Sequence, residues 1–358
     1  MPIEKRWVVK PQGDPATAAM LAAALRISPV LANLLVQRGI DTVEKADKFF
    51  KPSLADLHDP FLMKDMDKAV ERVERAVRNN EKIMVYGDYD VDGCTAVALV
   101  YKFLRQIGHK NLMFYIPDRY TEGYGISIKG IDLAARKGVG LIIALDCGIK
   151  AVDEIAYAKE KGIDFIICDH HRPSDTLPAA TAVLDPKRPD CPYPFKELSG
   201  CGVGVKLIQA VCKNKGWNDK AVINSYLDLV AVSIGADIVP IVDENRILAY
   251  HGLRCLNTNP SIGLQAIVEV CGLSDRELTM NNIIFKIGPR INASGRMQNG
   301  KEAVDLLVEK DFSVALEKAG RINLYNEARK DLDKQMTEEA IDRVKDLPGL
   351  DERRSIVI

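Results

Sequence analysis

Acidic residues stand directly after successive apolar segments of this chain. At one of these positions the acidic residue is followed by two histidines. Each segment has the composition of a buried strand or helix, and each ends in side chains that can bind metal or protons. Ligands of open α/β sheets bind outside the carboxyl ends of the strands, so these residues are expected to meet at one edge of a sheet. The four sites are Asp88-Tyr89-Asp90-Val91-Asp92-Gly93, Asp146-Cys147-Gly148, Asp169-His170-His171 and Asp237.

Between residues 82 and 235 the sequence alternates between short apolar runs and amphipathic stretches. The apolar runs lack internal polar residues, which is typical of parallel strands buried on both faces. The pattern predicts an α/β fold with a mostly parallel sheet and helices on both faces. The predicted strands lie near 82–87, 112–116, 141–145, 164–168 and 181–184, and the predicted helices near 93–106, 127–137, 150–161, 203–214 and 221–235.

The two ends of the chain are predicted to differ from this central part. Ser28 before Pro29 is a favourable helix start, which indicates a small helical N-terminal region. After Asp311, apolar residues recur on one face of a helix that is long for one domain, so we interpret it as a connector. The predicted divisions are 1–60 for the N-terminal region, 61–300 for the α/β domain, 301–350 for connector helices and 351–358 for the start of a further domain, where Ser355-Ile356-Val357-Ile358 is typical of a strand.

The composition restricts the classes of protein to which the chain can belong. A net charge of −1 over 358 residues excludes a uniformly basic nucleic-acid-binding surface, although a local basic surface remains compatible. The eight cysteines include no CxxC pair, which disfavours a structural zinc site and a disulfide framework and predicts a cytoplasmic location. The sequence has neither a secretory signal nor an apolar run of membrane-spanning length.

Together the four acidic sites predict a site for divalent metal, although each has a simpler explanation when taken alone. Asp146 can be a turn residue, Asp237 a helix-end residue, and the aspartates after residue 87 helix caps. An EF-hand is excluded because a strand precedes Asp88, and Leu99 stands where the final glutamate would be. Carboxylates with one imidazole favour Mn²⁺ or Mg²⁺, and this many carboxylates predict that one of them bridges two ions.

The two adjacent histidines are predicted to have separate roles. If the chain is extended at this point, His170 and His171 point in opposite directions. One can then bind metal while the other faces the substrate. The alternative is a pair of core histidines whose hydrogen bonds are satisfied.

Two further segments each have two interpretations. The glycine-rich segment Ser199–Lys206 opens a predicted helix, where it could bind a phosphate or form a plain tight turn. The loop Pro117–Gly125 could be only a turn, or Arg119 and Tyr124 within it could contact a sugar-phosphate chain or a base.

The order of these motifs resembles that of the DHH phosphoesterases, and within them that of the bacterial RecJ-type single-strand-specific exonucleases. The resemblance covers roughly residues 40–345, and its metal motifs are specific in combination. The matching motifs are G-D-Y-D-x-D-G at 87–93, E-G-Y-G at 122–125, D-C-G at 146–148, D-H-H at 169–171, S-G-x-G-V at 199–203, A-D-x-x-P at 236–240 and R-I-N-A-S-G-R-M at 290–297.

The resemblance implies a role for each matching residue. Metal ligands would be Asp88, Asp90, Asp146, His170 and Asp237. Residues that support them or touch the scissile phosphate would be Asp92, Asp169 and His171. In the arginine motif, the residues expected to bind nucleic acid in addition to Arg119 and Tyr124 are Arg290, Asn292, Ser294 and Arg296.

The resemblance also implies an activity: 5′-to-3′ digestion of single-stranded DNA to 5′-mononucleotides with two Mn²⁺ or Mg²⁺ ions, in DNA repair or recombination. A single-strand-binding protein or a helicase would be a partner through regions outside this chain. The family continues into a second, smaller domain with a glycine-rich, histidine-containing motif that this sequence does not reach. We therefore expect weak or absent nuclease activity from this chain alone, with the metal site retained.

Other functions share parts of this pattern. A DHH phosphodiesterase could act on short oligonucleotides or cyclic dinucleotides, but it would not need the N-terminal region and the connector. A non-catalytic nucleic-acid-binding relative, such as the replication-helicase component that shares this fold, has lost metal ligands that this chain retains. An inorganic pyrophosphatase would not need the arginine motif.

Overall fold

The computed structural model describes residues 6–345 and divides the chain into two compact units, the first reaching Leu57 and the second beginning at His58. The first unit is helical, as predicted, and Ser28 caps its second helix by accepting a hydrogen bond from Leu31 N. Ala18, Leu21, Ala32 and Leu35 form its core. Its helices are α1 (Pro15–Leu25), α2 (Pro29–Val36) and α3 (Val43–Phe50), followed by a 3₁₀ turn at Leu54–Asp56.

The second unit is built from strands and helices that alternate through its first half. The elements up to the last strand are a 3₁₀ turn at Pro60–Leu62, α4 (Met66–Arg78), β1 (Lys82–Gly87), α5 (Val91–Gln106), β2 (Leu112–Tyr115), α6 (Ile128–Arg136), β3 (Val139–Leu145), α7 (Val152–Glu160), β4 (Asp164–Cys168) and β5 (Ala182–Leu184). The remaining elements are α8 (Gly200–Asn214), α9 (Asp219–Asn224), α10 (Leu227–Asp237), α11 (Asp243–Thr258), α12 (Ile262–Val270), α13 (Met280–Asn282), a π-helical turn at Ile283–Ile287, α14 (Gly288–Met297), α15 (Lys301–Leu307) and α16 (Phe312–Lys345).

The five strands form one sheet in the order β2-β1-β3-β4-β5, and every pair is parallel. The predicted fold class is confirmed, and all five predicted strands are present. In this strand order the connection after β1 runs to β2 on one side, and the connection after β3 runs to β4 on the other side. Such a switch point between β1 and β3 opens a crevice at the carboxyl edge. Gly87 pairs with Leu145, which places Asp88 and Asp146 side by side at that crevice.

Both faces of the sheet are buried, which explains why its strands read as unbroken apolar runs. Met84 and Tyr86 of β1 share a core with helices α6 and α7. Their neighbours Ile83 and Val85, also buried, point to the opposite face, where α5 and α8 pack. Among residues 6–345, no helix is both long enough and apolar enough to cross a membrane.

The long helix α16 is confirmed, and Asp311 caps it through a 3.0 Å hydrogen bond from Val314 N. It packs against α12, α14 and α15 through its first part, where Ala315, Ala319 and Ile322 are buried. The apolar face continues beyond this region, but Leu332 and Met336 on it are exposed. The predicted strand at 355–358 lies outside the described residues.

Two helical glycines differ in the space around them. A Cβ atom at Gly252 of α11 would lie 2.0 Å from the carbonyl oxygen of Leu227, at the contact with α10. A Cβ atom at Gly320 of α16 would meet nothing within 4 Å. We therefore expect Gly252→Ala to lower the free energy of unfolding by about 1–3 kcal/mol or more, because α10 and α11 must move apart to admit the added methyl group.

Gly320→Ala is the matched control and is expected to raise the free energy of unfolding by about 0.5–1 kcal/mol, the difference in helix propensity. Urea unfolding followed by circular dichroism measures both values. Equal effects of the two substitutions would contradict the packing described for α10 and α11.

Candidate metal centre

Asp88 and Asp90 lie in the turn between β1 and α5. Asp90 is the N-cap of α5 and accepts a 3.0 Å hydrogen bond from Gly93 N through Oδ1. A Cβ atom at Gly93 would lie only 2.6 Å from the Asp88 carbonyl oxygen, so only glycine permits a turn this tight. The turn directs both carboxylates toward the crevice at the carboxyl edge of the sheet.

Asp146 follows β3 in a left-handed backbone conformation, with φ of 60°, which few non-glycine residues adopt. Its amide donates a 2.8 Å hydrogen bond to the Cys168 carbonyl. The start of α8 packs directly on it, since a Cβ atom at Gly200 would lie 2.6 Å from the Asp146 Cβ. The chain thus accepts an unfavourable conformation to place this carboxylate in the crevice.

Asp92 binds the start of α8 instead of facing open solvent. Its carboxylate accepts hydrogen bonds from Gly200 N at 2.7 Å, Cys201 N at 2.8 Å and Ser233 Oγ at 2.7 Å. These contacts decide between the two interpretations of the glycine-rich segment Ser199–Lys206, a phosphate-binding site or a plain tight turn. The first amides of α8 are occupied by a carboxylate of the chain itself, so they do not form an open phosphate site.

Asp169 orients the segment that contains the two histidines. It accepts hydrogen bonds from Ile149 N at 2.9 Å, His170 N at 2.7 Å and His171 N at 3.1 Å. Its Oδ1 also lies 2.7 Å from His171 Nδ1. This contact fixes the His171 ring and, because the carboxylate favours the charged imidazole, raises the pKa of His171.

His170 points into the group of carboxylates. Its Nε2 lies 3.1 Å from Asp146 Oδ1, and 3.7 Å from both Asp92 Oδ2 and Asp237 Oδ2. Potential ligand atoms lie within 4.8 Å of one another in three overlapping sets: Asp88, Asp90 and Asp146; Asp92, His170 and Asp237; Asp146, His170 and His171.

The prediction that the two histidines point in opposite directions is wrong. Their ring centroids are 4.6 Å apart with an angle of 61° between the ring planes. Because β4 ends at Cys168, the residues after it no longer alternate between the faces of the sheet. The contacts of the rings still differ, since His170 faces the carboxylates and His171 Nε2 faces the Tyr124 hydroxyl at 3.4 Å.

The electrostatics of this group are unfavourable without a cation. Burial, followed by repulsion from Asp90, raises the pKa of Asp88 to about 8. Burial, followed by repulsion from Asp92, raises the pKa of Asp237 to about 7. Burial also raises the pKa of Asp146 well above its usual value. Carboxylates this close repel one another unless positive charge is supplied.

Several buried polar atoms of the group also lack hydrogen bonds. Asp88 Oδ2, Asp146 Oδ1 and His170 Nε2 are buried and have no hydrogen-bond partner among the described residues, because the 3.1 Å approach of the last two atoms lacks hydrogen-bond geometry. Buried polar atoms are normally paired, so these atoms require a partner of another kind. A set of carboxylate oxygens with one imidazole nitrogen fits Mn²⁺ or Mg²⁺. The residues that could hold such ions are Asp88, Asp90, Asp146, His170 and Asp237.

Aromatic and basic side chains surround one side of this group. The Arg119 guanidinium lies 5.1 Å from the centre of the Tyr89 ring, and the Tyr89 and Tyr124 rings meet edge to face at 6.1 Å. The Tyr120 hydroxyl donates a 2.6 Å hydrogen bond to the Arg296 carbonyl. Arg119, Tyr124 and Arg296 are exposed, so the structure brings them to the surface beside the acidic group.

The other residues of the arginine motif lie within α14, and the sequence pattern had not indicated that this motif is helical. Arg290 donates to Asn323 Oδ1 at 2.8 Å and to the Lys286 carbonyl at 2.9 Å. Ser294 is fully buried and donates to the Ile291 carbonyl. Asn292 is partly exposed. Arg290 and Ser294 therefore make contacts inside the protein, in contrast to Arg296.

One buried acid at the same edge had been assigned no role. Asp185 follows β5 as Asp169 follows β4, and Cys168 pairs with Leu184. Asp185 is fully buried, its Oδ2 has no hydrogen-bond partner among the described residues, and burial raises its pKa to about 7. The sequence signal was present, because this strand also ends in an aspartate.

Comparison with known proteins places this geometry in a family. Residues 82–234 match the family described as "DHH family, N-terminal domain". The chain is 40% identical to the single-stranded-DNA-specific exonuclease RecJ of Bacillus subtilis (strain 168) over 98% of the chain and 44% of that protein. It matches the crystal structure of RecJ in complex with Mn²⁺ from Thermus thermophilus with a TM-score of 0.78 and 28% identity, over 92% of this chain and 46% of that one.

A further match is the crystal structure of exonuclease RecJ bound to manganese, with a TM-score of 0.72 and 30% identity, over 81% of this chain and 72% of that one. The chain therefore belongs to the DHH family, in its RecJ-type branch. It spans about half the length of the curated relatives that it matches, 44% of the first and 56% of the second.

Asp146→Asn tests whether the acidic group binds metal. Asparagine keeps the shape of the side chain and tolerates the left-handed backbone, but it removes one buried negative charge. We expect the parent protein to bind Mn²⁺ and to melt at a higher temperature when it is bound, whereas Asp146→Asn should lose most of both effects. Without metal, the variant should be at least as stable as the parent, because repulsion is reduced.

Titration calorimetry and thermal unfolding with and without Mn²⁺ provide these measurements. Asp331→Asn, on the exposed part of α16, is the control for loss of a carboxylate. Equal Mn²⁺ affinity in the parent and in Asp146→Asn would remove Asp146 from the site.

Proposed function

We propose that this chain is the metal-dependent core of an exonuclease that digests single-stranded DNA from its 5′ end and releases 5′-mononucleotides. The observation that carries the proposal is the buried group around Asp146 and His170, whose unpaired ligand atoms and raised pKa values call for divalent cations. It is supported by relatives named single-stranded-DNA-specific exonuclease RecJ and by a RecJ crystal structure that contains Mn²⁺.

We assign the residues that would hold the metal as Asp88, Asp90, Asp146, His170 and Asp237, all of which belong to the three ligand sets. Two Mn²⁺ or Mg²⁺ ions bound there would activate water and neutralise phosphoryl charge. Asp92 holds α8 and the acidic group together, and Asp169 fixes the His171 ring. The His171 imidazole is free to donate a hydrogen bond or a proton to a phosphate oxygen through Nε2, which Tyr124 contacts only at 3.4 Å.

Single-stranded DNA is the substrate that best suits the exposed side chains beside this group. Arg119 and Arg296 offer planar donors that match phosphate geometry, and the Tyr124 ring offers a face on which a base can stack. In the arginine motif, Arg290 and Ser294 are assigned to shaping α14, and Asn292 to contact with the strand. A cytoplasmic location in DNA repair or recombination is part of the proposal, as is partnership with a single-strand-binding protein or helicase through other regions.

The alternatives are weaker for specific reasons. A non-catalytic nucleic-acid-binding protein would have no need for five carboxylate and imidazole ligands, three of which have buried atoms without hydrogen bonds. A phosphodiesterase for cyclic dinucleotides or short oligonucleotides needs the same metal ligands. It differs in requiring no extended path for a strand, so substrate length distinguishes it from the exonuclease.

The test is digestion of a long single strand in Mn²⁺, labelled at the 5′ end in one sample and at the 3′ end in another. Because only weak activity is expected of this chain alone, we expect slow digestion in which the 5′ label is released first as a mononucleotide, with no action on duplex DNA and no preference for dinucleotides. His171→Ala should lower the rate about 10²–10⁴-fold while Mn²⁺ affinity is kept, because the imidazole acts on phosphate and not as a metal ligand.

Asp331→Asn serves again as the control variant. Cleavage of dinucleotides but not of long strands would favour the second function. Loss of Mn²⁺ binding in His171→Ala would show that this histidine is a metal ligand, which its membership of one ligand set also allows.

A further inference from the structure

Glu122 lies near the centre of the loop Pro117–Gly125, and its carboxylate accepts hydrogen bonds from three groups. Its carboxylate accepts from the Tyr115 hydroxyl at 2.8 and 2.9 Å, from Ser127 Oγ at 2.6 Å and from Asp118 N at 3.0 Å. Tyr115 belongs to β2, and Ser127 is the N-cap of α6. One side chain thus connects the loop to a strand, to a helix and to its own first turn.

The same loop carries two of the side chains assigned to DNA. Arg119 extends over the Tyr89 ring at 5.1 Å. The Tyr124 hydroxyl lies 3.3 Å from the Asp146 carbonyl and 3.4 Å from His171 Nε2. The two residues stand on either side of Glu122 in sequence, so the position of each depends on how the loop is held.

The loop has further hydrogen bonds, but they lie before Gly123. Asp118 Oδ1 accepts from Tyr120 N at 3.1 Å and from Thr121 N at 2.9 Å, and the Tyr120 hydroxyl donates to the Arg296 carbonyl at 2.6 Å. Gly123 and Gly125, which flank Tyr124, both have φ of 85° and no atom within 4 Å of an added Cβ. Glycines lose more conformational freedom on ordering than other residues do. The hydrogen bond from the Tyr86 hydroxyl to the Gly125 carbonyl, at 2.9 Å, fixes one end of the loop. Glu122 is the side chain that links the middle of the loop to β2 and α6.

We propose that Glu122 is a positioning residue for substrate, which holds Arg119 and Tyr124 in the geometry that grips a single strand beside the metal group. The inference rests on the proposed function, because it takes DNA as the ligand of this loop. Ordering the loop in advance lowers the conformational cost of binding, which is the general reason why preordered sites bind more tightly.

The proposal is testable because removing the negative charge of Glu122 and removing its positioning role should change DNA affinity in opposite directions. Glu122 is an anion close to the path expected for a polyanion, so its simple electrostatic effect is to repel DNA. Replacing it with a neutral residue should strengthen binding if charge alone matters. The positioning role has the opposite consequence, since Glu122→Ala should weaken binding although it removes a negative charge.

The experiment measures the affinity of the full chain for a short labelled single strand at several salt concentrations, with Ca²⁺ in place of Mn²⁺ to suppress cleavage. We expect Glu122→Ala to raise Kd about tenfold, as loss of an ordered loop implies. The slope of log Kd against log salt should fall by about 0.7, the value for one phosphate contact. Glu122→Gln keeps the length and one acceptor, so it should be affected less. Glu160→Ala, which removes an exposed carboxylate at the far end of α7, is the control.

A second background separates positioning from general stability. In a variant that already carries Arg119→Ala and Tyr124→Ala, adding Glu122→Ala should change Kd little, because the side chains through which it acts are gone. Mn²⁺ affinity should stay at the parent value throughout.

Tighter or unchanged DNA binding by Glu122→Ala would overturn the positioning role. An equal loss of DNA affinity in both backgrounds would also overturn it, as would a loss of DNA affinity that accompanies weaker Mn²⁺ binding. A different outcome is that the parent chain binds DNA, with weaker binding in the Arg119→Ala, Tyr124→Ala double variant but not in Glu122→Ala. In that case only the positioning role fails. If the parent does not bind single strands at all, the proposed function fails, and the inference fails with it.

Discussion

Mutual repulsion among buried carboxylates is the constraint on which the rest of this structure depends. Asp88, Asp90 and Asp146 meet at the carboxyl edge of the sheet because parallel strands end there together, and burial makes their charges costly. The fold does not avoid this cost by spacing the residues apart or exposing them. It holds them together, which is expected of a site that binds cations.

The surrounding elements act mainly to keep this group in place. Asp92 joins the start of α5 to the start of α8 through amide hydrogen bonds, and Gly93 and Gly200 allow backbone approaches that a Cβ atom would prevent. Asp169 performs the same task for the histidine segment. The rigid part of the site is therefore built from helix starts and strand ends, while the exposed loop around Glu122 carries the side chains that we propose contact the substrate.

The strands and the acidic residues at their ends could be predicted from the sequence, because burial on both faces removes polar residues from a strand and leaves a clear boundary. Contacts between distant segments could not. Nothing local indicates that Asp92 caps α8, that Ser233 in an apolar helix donates to it, or that Ser294 is buried. The orientation of His170 and His171 was predicted wrongly, since the alternation of a strand stops where the strand stops.

The most direct test of this account is proton release when Mn²⁺ binds near pH 7. With the pKa of Asp88 at about 8 and that of Asp237 at about 7, the metal-free group retains protons at this pH, and metal ligation must displace them. Calorimetric titration in buffers of different ionisation enthalpy should therefore show a buffer-dependent enthalpy of binding, with Mn²⁺ affinity that rises with pH between 6 and about 8. Binding without proton release, with the same affinity across this range, would contradict the claim that a repelling, partly protonated carboxylate group is the metal site.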